Sequence, residues 1–78
     1  IYVREACHLC QDMVALLRQY QQKVAFGLEI IDIDNDPQLV QQYNELIPVL
    51  IGSDNEQTKI CYHRLDVTAL DAYFNKIR

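Results

Sequence analysis

The amino-acid sequence predicts an α/β fold with its elements in the order βαβαββα, and three local features carry that prediction. Cys7-His8-Leu9-Cys10 sits where a β-branched and aromatic run, Ile1-Tyr2-Val3, gives way to a helical pattern. An isoleucine-rich segment, residues 28–33, is followed by Asp34-Asn35-Asp36-Pro37, which has turn and helix-start chemistry. An Ile47-Pro48 step then opens a third apolar run, Val49-Leu50-Ile51.

Taken in chain order, residues 1–4 read as a strand. Met13, Leu16, Leu17, Tyr20 and Val24 recur at helical spacing, with Gln and Arg on the opposite side, and make the first helix. Residues 28–33 are short and rich in isoleucine, as in a largely buried strand. Asp36 as N-cap and Pro37 at the first helical position start a second helix, whose apolar side is Leu39, Val40, Tyr43 and Leu46. Pro48 ends that pattern. Val49-Leu50-Ile51 is the third strand, residues 52–56 are a turn, and residues 58–62 return as a fourth strand paired with the third. Asp66 caps a last helix with Val67, Leu70, Tyr73, Phe74 and Ile77 facing inward. With no repeat, low-complexity segment or linker, residues 1–78 are expected to form one domain.

A chain of 78 residues that is 50% hydrophobic suits one modest core. The formal net charge of -4 argues against a nucleic-acid surface or an anionic membrane, both of which select for clustered Lys and Arg. No apolar stretch approaches the ~20 residues of a membrane span, and no signal-peptide pattern is present. Three cysteines cannot close a disulfide framework of the kind that staples small secreted domains, because one is left over. A reducing, cytoplasmic setting is therefore expected, with a monomer as the default. The chain opens at Ile1 without an initiator Met, which leaves a preceding segment open.

The cysteine pair carries the chemistry. The nucleophile in thiol–disulfide exchange is the thiolate, whose formation a helix N-terminus favours through unpaired N–H groups and the positive end of the helix dipole. Cys7 stands nearest that end, and two intervening residues place Cys10 one turn on, within disulfide reach. Cys7 is thus expected to attack and Cys10 to resolve. A C-x-x-C also occurs in zinc sites, so the remaining motifs must discriminate.

Three separated segments supply that discrimination. Tyr2-Val3-Arg4-Glu5-Ala6-Cys7-His8-Leu9-Cys10, Asp32-Ile33-Asp34-Asn35-Asp36-Pro37 and Ile47-Pro48-Val49-Leu50 stand in register with the small bacterial glutaredoxin-like proteins that have a Cys-His-Leu-Cys centre. The whole chain resembles the thioredoxin fold in its minimal, glutaredoxin-sized form. That resemblance implies a mixed four-stranded sheet with helices on both faces. It also implies a cis Pro48 against the cysteine pair, and an Ile47 that offers backbone groups to an incoming peptide or glutathione. Arg4 stands where glutaredoxins often place a lysine that binds the glutathione carboxylate. The Gly-Gly-x-Asp stretch that holds glutathione in glutaredoxins is replaced here by Tyr62-His63-Arg64-Leu65-Asp66, with Asp66 and the helix start left to supply part of those contacts. Poor use of glutathione follows as an expectation. A strict thioredoxin is not expected, since the chain has no Trp and carries Ile1 where thioredoxins have a buried Asp.

His8, directly after the nucleophile, is expected to stay exposed and, when protonated, to stabilise the Cys7 thiolate. Cys61 reads as a small core residue on the fourth strand. Glu29, Asp32, Asp34 and Asp36 lack the glycine and distal glutamate of an EF-hand loop and read as caps and turn residues. The leading expectation is a dithiol oxidoreductase acting on protein or small-molecule disulfides, with no tightly bound cofactor and glutathione as a candidate reductant. The alternatives are a zinc or iron–sulfur module built on Cys7, Cys10 and Cys61 with His8 or His63, and a non-catalytic adaptor of the same fold.

Overall fold

The computed structural model describes residues 1–77, and its elements follow the expected order. They are β1 (Tyr2–Val3), α1 (His8–Tyr20), β2 (Ile31–Asp32), a 3₁₀ turn (Ile33–Asn35), α2 (Pro37–Tyr43), β3 (Val49–Ile51), β4 (Lys59–Tyr62) and α3 (Val67–Ile77). The strands form one mixed sheet in the order β2-β1-β3-β4. β1 and β2 are parallel, while β3 is antiparallel to both β1 and β4. Strands β1, β2 and β4 therefore run the same way. Each is followed by a helix, so α1, α2 and α3 all start at one edge of the sheet.

Side chains alternate across the strands and divide the core in two. On one face Ile1 and Leu50 pack with Met13 and Leu17 of α1 and Leu70 of α3. On the other, Val49 packs with Ile33 and with Tyr43 of α2. Tyr43 also stacks on Tyr2, with ring centroids 4.6 Å apart, which fastens α2 to β1. Burial pushes the Tyr43 phenol pKa above its ordinary value. At the end of α1, Tyr20 forms an aromatic cluster with Phe26 and Phe74, and its hydroxyl donates to the Asp71 carboxylate.

β3 matches its apolar run, while β1, β2 and β4 are shorter than the segments that predict them. Only Ile31–Asp32 of residues 28–33 enters the ladder, and Ile30 is 45% exposed. The cause is local, because the Asp32 carboxylate accepts from the Asp34 N–H at 2.9 Å and turns the chain into the 3₁₀ segment. The strand also lies at the sheet edge, where one side has no partner to bury it. Three helix positions expected to face inward do not. Leu16, Val67 and Ile77 are 46%, 49% and 50% exposed, because a sheet of such short strands covers only a narrow stripe of each helix. The chain after Tyr20 turns away, so Val24 lies past the end of α1.

The β3–β4 hairpin has an irregular register. Leu50 faces Cys61 but Ile51 faces Lys59, which leaves Ile60 as one extra residue on β4. In its loop the Asp54 carboxylate accepts from the Thr58 N–H and hydroxyl at 3.0 and 2.9 Å. Those bonds hold the Asp54 pKa below the usual carboxylate range. Gly52 precedes the loop, and a Cβ there would overlap the hydroxyl and adjoining ring edge of the buried Tyr73. Gly52→Ala is expected to destabilise the fold, because overpacking of about 1–3 kcal/mol exceeds the ~0.4–1 kcal/mol gained by stiffening the unfolded chain. A denaturation midpoint at or above that of the parent would reverse this.

Candidate active site

The edge where the three helices start gathers the residues that the sequence singles out. Cys7 is the N-cap of α1, in an extended conformation, and its carbonyl accepts from the Gln11 N–H at 3.1 Å. Its sulfur takes the place of the oxygen of an ordinary Ser, Thr or Asp cap. The Cys10 N–H points at Cys7 Sγ, 3.1 Å away. No acidic residue lies in the first turn of α1 to offset the dipole at that sulfur. Cys7 and Cys10 are paired as a disulfide with Cα atoms 5.2 Å apart. The two sulfurs are not equivalent, since Cys10 is 2% exposed within the core and Cys7 is only half-buried.

His8 points away from the sheet, with Nε2 3.4 Å from Asp12 Oδ2 one turn along α1. Its ring therefore faces a carboxylate on the outer side of the helix. Arg4 lies between β1 and α1 and meets Asp34 of the 3₁₀ turn. Its Nε donates to both carboxylate oxygens at 3.0 Å, and its second nitrogen is 2.9 Å from Oδ1. That hydrogen bond is the main reason the guanidinium pKa lies above its ordinary value, with smaller help from the nearby charges of Asp34 and Asp32.

Pairing register brings the proline to the segment that precedes the cysteines. Tyr2 faces Val49, so continuing the antiparallel ladder places Pro48 beside Val3 and Ile47 beside Arg4, on the segment that leads into Cys7. Pro48 is fully buried and its bond to Ile47 is cis. On the other side Val49 faces Tyr62, so the next pair is Pro48 with His63, and the His63 N–H donates to the Pro48 carbonyl at 2.8 Å. His63 Nε2 also lies 2.8 Å from the Glu45 carbonyl. Asp66 caps α3, accepting from the Ala69 N–H at 3.0 Å. Its carboxylate is thus engaged by its own helix.

Cys61 stands apart, half-buried on β4, and burial pushes its thiol pKa up. Among the described residues no three His, Cys, Asp or Glu side chains gather closely enough to hold a metal ion. No helix among those residues is long and apolar enough to cross a membrane. Sequence reasoning missed two partners in this site. Asp34 reads locally as a turn residue, yet the parallel pairing of Val3 with Asp32 brings it to Arg4. Glu45 has no signal at all, because its contribution is a main-chain carbonyl.

The profile of the glutaredoxin-like domain family (DUF836) matches residues 1–75. The solution NMR structure of protein Ne2328 from Nitrosomonas europaea is 44% identical in sequence, with a TM-score of 0.82. The alignment covers 94% of this chain and 85% of that one. No curated protein sequence matches the chain.

Proposed function

The chain belongs to the glutaredoxin-like domain family (DUF836) and has a thioredoxin-like fold, and from that premise we propose that it is a dithiol–disulfide oxidoreductase. The observation that supports this most is the unequal pair at the start of α1, a half-exposed Cys7 sulfur facing a backbone N–H and a buried Cys10 behind it.

In the reduced protein the Cys7 thiolate attacks one sulfur of a substrate disulfide. A Cys7–substrate disulfide forms, and the other half of the substrate leaves as a thiolate and takes up a proton. Cys10, deprotonated, then attacks Cys7 Sγ. The Cys7–Cys10 disulfide closes and the second half of the substrate leaves as a thiol. Two electrons pass from the dithiol to the substrate, and two equivalents of an external thiol, themselves oxidised to a disulfide, restore the pair. The two cysteines supply both electrons, so the exchange needs no bound cofactor. His8, next to Cys7, adds positive charge near the thiolate when protonated, in competition with Asp12. The substrate lies along the Ile47–Pro48 step, in a reducing compartment such as the cytoplasm, and is a disulfide-bearing protein or small molecule.

Protein disulfides are favoured over glutathione in this reading. Arg4 already holds Asp34, and Asp66 already caps α3, so the first is not idle for a glutathione carboxylate nor the second for its ammonium group. Reduced protein is expected to reduce a peptide disulfide several-fold faster than a glutathione mixed disulfide. Equal rates, with the glutathione rate falling on Arg4→Ala, would reverse that preference. Absence of exchange with any disulfide, in reduced protein whose Cys7 and Cys10 thiols are both accounted for, would overturn the oxidoreductase reading itself.

A further inference from the structure

His63 is one of two non-glycine residues at positive φ among the described residues. Its φ is 67°, and the Arg64 N–H donates to the Tyr62 carbonyl at 2.8 Å, so His63 is the centre of a three-residue turn. Glycine or asparagine adopts such a backbone at lower cost. What glycine lacks is the ring. The imidazole Nε2 lies 2.8 Å from the Glu45 carbonyl, which can only accept, so Nε2 carries the hydrogen and donates. The main-chain N–H of the same residue donates to the Pro48 carbonyl at 2.8 Å. One residue thus grips residues 45–48 at both ends, from the strand exit opposite the cysteine pair. The Tyr62 ring packs edge-on against the imidazole at a centroid distance of 5.1 Å.

We propose that His63 is a positioning residue for disulfide exchange, holding residues 45–48 in the shape against which a disulfide-bearing peptide docks. This rests on the oxidoreductase reading above. It assigns to a side chain what glycine at the same turn could not supply, a second anchor for the Ile47–Pro48 step.

His63→Gly separates the two bonds, because it keeps the turn and the main-chain bond and removes only the ring. With a synthetic peptide dimer joined through one disulfide as substrate, the variant is expected to show KM raised about three- to tenfold, the loss of one hydrogen bond. The rate at which iodoacetamide alkylates Cys7 in the reduced protein, followed by peptide mapping, should stay within about twofold, since that reagent needs no docking segment. His63→Gln, which places an amide nitrogen near the position of Nε2, should return KM to within about twofold. Gln57, at φ 48°, shows that this chain accepts glutamine at positive φ. Unchanged KM in His63→Gly, alkylation falling in step with exchange, or His63→Gln behaving like His63→Gly would each overturn the proposal. An active parent with an unaffected His63→Gly would do so while leaving the oxidoreductase reading intact. An inactive parent would overturn both.

Discussion

Cys7→Ser protein is expected to reduce no disulfide above background, whereas Cys10→Ser protein attacks once and stalls, accumulating one mixed disulfide per chain. The asymmetry comes from the site. Cys7 Sγ is the more accessible sulfur and accepts from the Cys10 N–H at the start of α1, which favours its thiolate. Cys10 is buried beneath it and can reach only a disulfide already formed on Cys7. Mass spectrometry of intact protein after incubation with a peptide disulfide distinguishes the two, and the stalled Cys10→Ser adduct captures natural partners from cell extract. Equal residual exchange in both variants, or an adduct on Cys10 in Cys7→Ser, would reverse the division of labour.

Leu17→Ala should cost the most stability of any single truncation in α1. Leu17 is 0% exposed and stands in the cluster that joins α1, α3, Ile1 and Leu50. Removing a buried leucine side chain costs about 2–5 kcal/mol, depending on how far the neighbours collapse into the space. A chain of 78 residues has only about 4–12 kcal/mol in total, at roughly 0.05–0.15 kcal/mol per residue. A loss of about 3.5 kcal/mol lowers the melting temperature by about 14–28 °C. Leu16→Ala, one position earlier and half exposed, should shift it little. Equal shifts in the two would mean that the packing of α1 has been assigned to the wrong side.

The comparison of Leu16 with Leu17 also shows where sequence reading reaches its limit. Both fit the apolar stripe of α1, because a period of 3.6 residues defines a broad face and not the part of it that a neighbour covers. The same holds for Val67 and Ile77 at the two ends of α3, which lie beyond the reach of a sheet with strands of two to four residues. Signals that act over one turn were legible. Asp36 accepts from the Gln38 N–H, Pro37 opens α2, Asp66 caps α3, and the cysteine pair opens α1. Contacts between distant segments were not. Arg4 and Asp34 are 30 residues apart, and His63 and Glu45 are 18 apart. Such pairs follow only from strand order and register, and the register of a two-residue ladder leaves almost no periodicity to read. The site was therefore foreseeable in its sulfurs and its proline, and unforeseeable in the groups that hold its outer parts in place.

Both margins of the sheet offer little to a foreign chain. At one, β2 presents two residues, ends in an acidic side chain and turns at once into the 3₁₀ segment. At the other, β4 carries the extra residue Ile60 and begins with an exposed lysine. Brevity, a bulge and a charge are the devices by which natural sheets resist edge-to-edge pairing. In the exchange proposed above, a disulfide-bearing chain would reach the site as extended peptide. Edges that cannot extend such a peptide into a further strand would keep that encounter at the sulfurs and protect the domain from co-aggregating with the chain it meets.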